Sequence, residues 1–353
     1  MKKNALLIAL TLIFSLSIQA QDDDNDDQAG SVIQNLTPSK LIGKGQVDIK
    51  WFNNIFTSTR QVDGNGDVQD VDRVNFFTST LEAFFGVGDN RRLAIGGILE
   101  FRSNTIGGRG LLDVFAFDGE RGTARSGLTN IAPSIKWVPF ENVGNFSLQS
   151  SLFIPTFGSE TEDGSPFIPV LDTNGLPVID GFGNPQLFQE NSPVFLDQDG
   201  FTWQNRFFYD LPLGTSKEWQ LFFDLNTEYN FGSQAVFDDN GNTIEGSFAN
   251  DSLRFVPGAF ISYFPSSKFT IQGLVQHFQL VALTEGNFEQ DQTAAGLGVK
   301  YQLTDALNIE GLYTNFFRGS EFTNTGETFN IGLRYVLKSV SYTHLTLPTI
   351  CSV

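Results

Sequence analysis

Residues 219–231, WQLFFDLNTEYNF, separate into two sets at every second position. Trp219, Leu221, Phe223, Leu225, Thr227, Tyr229 and Phe231 form one set; Gln220, Phe222, Asp224, Asn226, Glu228 and Asn230 form the other. Successive side chains of a strand point to opposite faces, so this period builds a strand with one apolar and one largely polar side. The same split recurs at 327–338, where Phe329, Ile331, Leu333, Tyr335 and Leu337 oppose Asn330, Gly332, Arg334 and Lys338. It recurs again at 252–264 and 293–303. Helical periodicity is absent beyond the first twenty residues, so the chain is expected to be all-β.

Twelve strands are predicted, at roughly 44–60, 73–88, 92–105, 125–138, 145–157, 200–211, 218–232, 252–264, 268–283, 292–303, 307–318 and 327–338. Most exceed the usual strand length of about 5–6 residues. They suit the roughly 9–11 tilted residues that cross a bilayer. Short connections at 88–91, 139–144, 212–217, 265–267 and 304–306 alternate with long ones at 61–72, 106–124, 158–199, 233–251, 284–291 and 319–326. A soluble sandwich has no reason to lengthen every second connection. The alternation predicts an antiparallel transmembrane β-barrel of about 12 strands in the outer membrane of a Gram-negative cell, with short periplasmic turns and long extracellular loops. Closure is obligatory there, because hydrocarbon offers unpaired backbone groups no partner. Pro257 lacks a ladder donor and is expected at a bulge or a local break.

With odd strands running outward, Trp137, Tyr209, Trp219, Tyr263, Tyr301 and Tyr335 fall on the apolar face close to the short turns. They are expected to form an aromatic girdle at the headgroup level. The polar faces carry Lys50, Arg102, Lys136, Arg206, Arg254, Lys300 and Arg334 together with Asp48, Glu82, Glu100, Asp224, Glu228 and Glu310. On the lipid side an Arg or Lys costs about 2–4 kcal/mol near the midplane, so these charges are expected to face the lumen. There they line a pore wall that sets solute preference, or they fill a plugged barrel with ion pairs. The long segment 158–199 is rich in Pro, Gly and apolar residues. Its Phe167, Ile168, Val170, Leu171, Phe182, Leu187 and Phe188 suit either a lid folded over the mouth or a display loop.

Residues 1–20 read as a secretory signal peptide: Lys2 and Lys3, an apolar run over 5–16, and Ala20 before the cleavage site. The acidic run at 22–27 belongs to a periplasmic segment, 21–43, that precedes the barrel at 44–339. The formal net charge of −18 argues against a nucleic-acid partner. The expected partners are outer-membrane lipid, the barrel-assembly machinery during biogenesis and a small-molecule solute. Asp63, Asn65 and Asp67 have the alternating spacing of a calcium loop, but Val68 stands where an EF-hand needs Gly and the closing Glu is missing. No metal and no cofactor is expected. Hydrolysis needs a base beside a nucleophile. His277 is the one candidate base outside the C-terminal tail, and Gln279 stands where the outer-membrane phospholipases carry their Ser. No motif supports the other enzymatic barrel, an omptin-like Asp/His protease, and no enzyme activity is expected.

Residues 126–140 with 145–158, and 303–319 with 326–338, resemble predicted outer-membrane barrel transporters, loosely the family of the meta-pathway of phenol degradation. The resemblance implies outer-membrane placement and passage of small, in part apolar, compounds. The alternation stops near Ser339, and residues 340–349, VSYTHLTLPT, resemble the in-frame translation of a transposase-type sequencing adapter. The expectation is therefore that 340–353 are an artefact, which removes Cys351 and His344 from any functional inventory. The function expected is passive passage or binding of small solutes through a mixed-charge lumen; the alternative is a non-conducting structural or display barrel.

Overall fold

The computed structural model describes residues 39–88, 90–117, 123–157, 167–169, 187–189, 194–214, 218–232, 236–237, 243–245, 251–283, 289–320 and 323–337. The signal peptide, the acidic run at 22–27, most of 158–193 and the tail at 340–353 lie outside the described residues.

Twelve antiparallel strands close into one barrel. They are β1 (Val47–Val62), β2 (Val68–Val87), β3 (Leu93–Thr105), β4 (Ala124–Trp137), β5 (Phe146–Pro155), β6 (Thr202–Leu213), β7 (Trp219–Asn230), β8 (Ser252–Ser266), β9 (Phe269–Ala282), β10 (Gln290–Gln302), β11 (Leu307–Gly319) and β12 (Glu327–Leu337). Each pairs with its neighbours in sequence, and β12 returns to β1 in a ladder from Val47 opposite Leu337 to Thr57 opposite Glu327. No strand of the barrel is left with an open edge. Two small ladders, Phe167–Pro169 with Leu187–Gln189 and Val236–Phe237 with Thr243–Glu245, belong to the outer connections. The single helical element among the described residues is a 3-10 turn, Leu111–Ala116, on the outer face of β2 and β3. Phe115 and Phe117 from this segment meet Phe77 and Phe101 edge-on, with centroids 5.1 and 5.5 Å apart.

The sequence expectation errs at one connection. Residues 61–72 are expected as a long loop, yet β2 begins at Val68 and only 63–67 turn. Gln61 pairs with Gln69 and Val62 with Val68, so the β1–β2 hairpin extends past the barrel rim. Asp63 organises the tip: its carboxylate accepts the backbone amides of Asn65 and Asp67, both at 2.9 Å, while Gly66 takes the left-handed φ of +85°. Those two amide bonds, the one from Asp67 first, hold the carboxyl below the usual carboxylate range. The carboxylate of Asp63 thus serves the turn itself, through one oxygen shared by two backbone amides.

Two prolines mark breaks in the ladder. Pro257 faces outward, and the β8–β9 pairing jumps from Phe255–Gln279 to Gly258–Gln276 without a change of register. Pro133 does the same between β4 and β5, where pairing passes from Ile131–Ile154 to Ser134–Ser151. In each case the ring nitrogen stands where a ladder donor would be. Beside Pro133, a shallow hollow of about 340 Å³ opens on Ile135, Leu152 and Trp203 outside and Ser134 and Ser151 inside. Hydrogen bonding from Ser134 to Ser151 at 2.7 Å closes the inner side.

Candidate functional site in the barrel lumen

The period of two decides which residues meet inside. Every charged residue expected in the lumen lies on the inward face of its strand, and the network resolves into a lower, periplasmic tier and an upper, outer tier. In the lower tier, Arg334 of β12 grips Asp48 of β1 in a forked pair, with both N–O distances 2.8 Å. Arg206 of β6 bonds Asp224 of β7. Lys50 of β1 and Lys136 of β4 converge on one carboxylate, Glu82 of β2, with Nζ at 3.8 and 3.5 Å from Oε2. Lys136 reaches that far because Ala94 and Gly96 on β3 leave the wall low, and its ammonium rests 3.7 Å from the centre of the Phe84 ring. Lys300 and Glu310 pair at 3.2 Å in a wetter position.

In the upper tier Glu100 and Arg102 of β3 join at 2.9 Å, and Glu228 pairs with Arg254 at 3.1 Å while also accepting Gln204 and Asn226. Here the chain before β6 enters the lumen. Asp197 bonds Arg102 at 3.1 Å and accepts the side-chain amide of Asn130 at 2.7 Å. Arg102 and Asn104 also donate to the backbone carbonyls of Leu196 and Phe195, at 3.1 and 2.6 Å. Asp197 lies outside the membrane-spanning strands. Burial lifts its carboxyl to about 6 with help from Glu100, while Arg102 pulls the other way. The segment 194–200 is thus strapped to the inner wall and narrows the outer opening.

The periplasmic opening is narrowed by a second segment that the sequence did not announce. Residues 39–43 cross the mouth, with Leu41 and Ile42 packed against Phe84, Ala94, Val138 and Val336. Ser39 donates to the Asp210 carboxylate of β6, and Gln46 and Gly45 exchange backbone hydrogen bonds with Gly86. A Cβ on Gly86 would stand 2.0 Å from the Gly43 carbonyl oxygen, so only glycine admits this crossing. Between this segment and the wall lies a cavity of about 20 Å³, room for about one water.

Aromatic rings also line the lumen. Phe56, Phe76 and Phe316 stack and meet edge-on at 5.8 and 5.6 Å, and Phe278 joins Phe316 at 5.4 Å. The sequence expectation for the inward faces names the charges and not these rings. The signal was present, since each occupies an even position on the face otherwise read as polar.

Outside, apolar side chains form a continuous exposed belt, with Leu297 at 70 % and Ile331 at 59 % exposure. An uncovered belt of this kind is a lipid-facing surface. Trp137, Tyr209, Trp219, Tyr263, Tyr301 and Tyr335 all point outward near the periplasmic ends, and Trp219 stacks on Tyr263 at 4.6 Å. Trp203 and Tyr229, paired in register, stand outward near the opposite rim and were not foreseen. His277 also faces outward near that rim. Its Nδ1 is 3.0 Å from the Thr293 hydroxyl and its Nε2 3.8 Å from Asp291, which Arg318 contacts at 3.3 Å.

No protein-family model matches the chain, and no curated protein sequence does. Its likeness to known proteins is one of architecture. An outer-membrane channel from Pseudomonas putida F1 superposes with a TM-score of 0.57 at 10% identity, over 86% of this chain and 99% of the channel. The beta domain of the Bordetella autotransporter BrkA gives 0.51 at 13% identity, over 82% of this chain and all of that one. The fold is that of the outer-membrane barrels.

Proposed function

We propose that this protein is an outer-membrane barrel that passively passes or binds small solutes through its mixed-charge lumen. The observation that carries the reading is the composition of the inner wall: ion pairs arranged in two tiers, with a patch of Phe56, Phe76, Phe278 and Phe316 among them. A wall of that kind accommodates a solute with both a polar and an apolar part. The wall residues act by binding and sorting, and the reading is non-enzymatic. The lipid-facing exterior and the likeness to outer-membrane barrels support the location. The outward aromatics near the periplasmic ends serve as interfacial anchors.

A second reading, a structural barrel that conducts nothing, is favoured by the crossing of 39–43, whose Leu41 and Ile42 pack against the wall. Reconstitution separates the two. The refolded full chain in a planar bilayer is expected to show small, steady conductance steps, together with solute uptake in liposome swelling. Silent membranes from a sample whose unboiled form still migrates as a folded barrel would establish the structural reading instead.

A further inference from the structure

Three cations of the lower tier, Lys50, Lys136 and Arg334, meet two carboxylates at ion-pair distance, Asp48 and Glu82. Asp48 is committed to Arg334 through both oxygens. Glu82 is left to two ammonium groups at 3.8 and 3.5 Å, both longer than the 2.7–2.9 Å or so of a charge-assisted bond. Lys136 is buried, and an ammonium taken out of water without a full counter-charge is expensive. Beside it lies the cavity of about 20 Å³, whose polar lining is Lys40, Lys50, Lys136, Arg334 and the already engaged Asp48. Its remaining walls are Leu41, Ile42, Phe84 and Ala94.

We infer that this tier is an anion-binding site that takes one small monovalent anion between Lys50 and Lys136. The anion supplies a counter-charge inside the cavity, whose one lining carboxylate, Asp48, is already engaged by Arg334. Its size limits it to a single compact group, either an inorganic ion such as chloride or the carboxylate end of a larger solute. In the second case the apolar remainder lies where Leu41 and Ile42 now pack, against Phe84. The inference deepens the solute-binding reading by naming the charge class, yet binding can be read whether or not the barrel conducts.

The experiment uses the refolded full chain in detergent and the quadrupolar broadening of the chloride NMR signal, with a conductance trace recorded in parallel. The wild type is expected to broaden the signal, and Lys136→Met to weaken that effect roughly tenfold, since one of the two ammonium groups that flank the anion is lost. Glu82→Gln tests the same idea from the other side and is expected to strengthen binding, because the lysines lose their shared carboxylate. Benzoate as a competitor tells the two sources apart: displacement of chloride identifies a carboxylate site, and no displacement limits the site to the inorganic ion. Unboiled gel mobility verifies that each variant is folded. Equal broadening by the wild type, Lys136→Met and Glu82→Gln would overturn the site. Binding without conductance would overturn only the channel.

Discussion

Burial decides what individual lumen charges are worth. Arg334 and Asp48 have side chains only 10 % and 8 % exposed, whereas Lys300 and Glu310 are 33 % and 28 % exposed. Removal of one partner of a buried pair strands the other, at about 3–5 kcal/mol in a dry interior and less beside a wet lumen. Arg334→Met is therefore expected to lower barrel stability by about 2–4 kcal/mol, and Lys300→Met by about 1 kcal/mol or less. Urea unfolding in the same lipid reads both. Asp197 yields a pH dependence with a definite sign. Its folded carboxyl titrates at about 6, above the ordinary Asp value of about 3.9. The docked state therefore holds the proton more tightly than the released state. Docking is strongest below the ordinary value and weakens as pH rises from about 4 to about 6, with little change beyond. Hydrogen exchange at the amides of 194–200, corrected for its intrinsic pH dependence, is expected to speed up across that window, and Asp197→Asn to abolish the trend. A trend of opposite sign would mean that the Arg102 pair outweighs burial.

At the scale of elements, the crossing of 39–43 depends on a gap made by Gly86. A Val there would drive its Cβ into the Gly43 carbonyl, with the first contact at 2.0 Å, and no side-chain rotation relieves a backbone clash. Gly86→Val is expected to dislodge Leu41 and Ile42, raise conductance several-fold, and expose Lys40 to trypsin. Unchanged conductance with a trypsin-resistant Lys40 would mean that the plug has another way to seat. This crossing also shows where sequence reading stops. The twelve strands were legible because alternation is written locally, and the six outward aromatics and the inward charges follow from the same parity. The pairings were not legible: that Lys136 reaches Glu82 depends on β3 being low at Ala94 and Gly96, a property of a strand that carries neither residue. The apolar pair Leu41–Ile42 has no period and no partner nearby in sequence, since its pocket is assembled from β2, β3 and β12 and from Val138 just beyond β4. The early start of β2 was hidden for a different reason. Residues 68–73 stand above the membrane, where alternation of apolar with polar no longer applies, and Asp63 carries the turn.

For the whole molecule, the question is which solvent the exterior was built for. Leu297 sits midway along β10 and is 70 % exposed, and Val275 and Ile331 are similarly uncovered. In water, replacing so exposed a Leu by Arg would be close to neutral, because a surface side chain away from the core seldom shifts stability by more than about 0.5 kcal/mol. In a bilayer the same change places a guanidinium in hydrocarbon near the midplane, at about 2–4 kcal/mol. Leu297→Arg is therefore expected to lower the stability of the barrel in phosphatidylcholine vesicles by about that amount. Gln272→Arg, on the inward face of the neighbouring β9, is expected to cost much less, since a lumen-facing guanidinium is not placed in hydrocarbon. The pair of variants isolates the face, because strand propensity and added volume are common to both. Equal effects at the two positions would mean that the outside of the barrel is not in contact with lipid, and the closed ladder from β1 to β12 would then need another reason to exist.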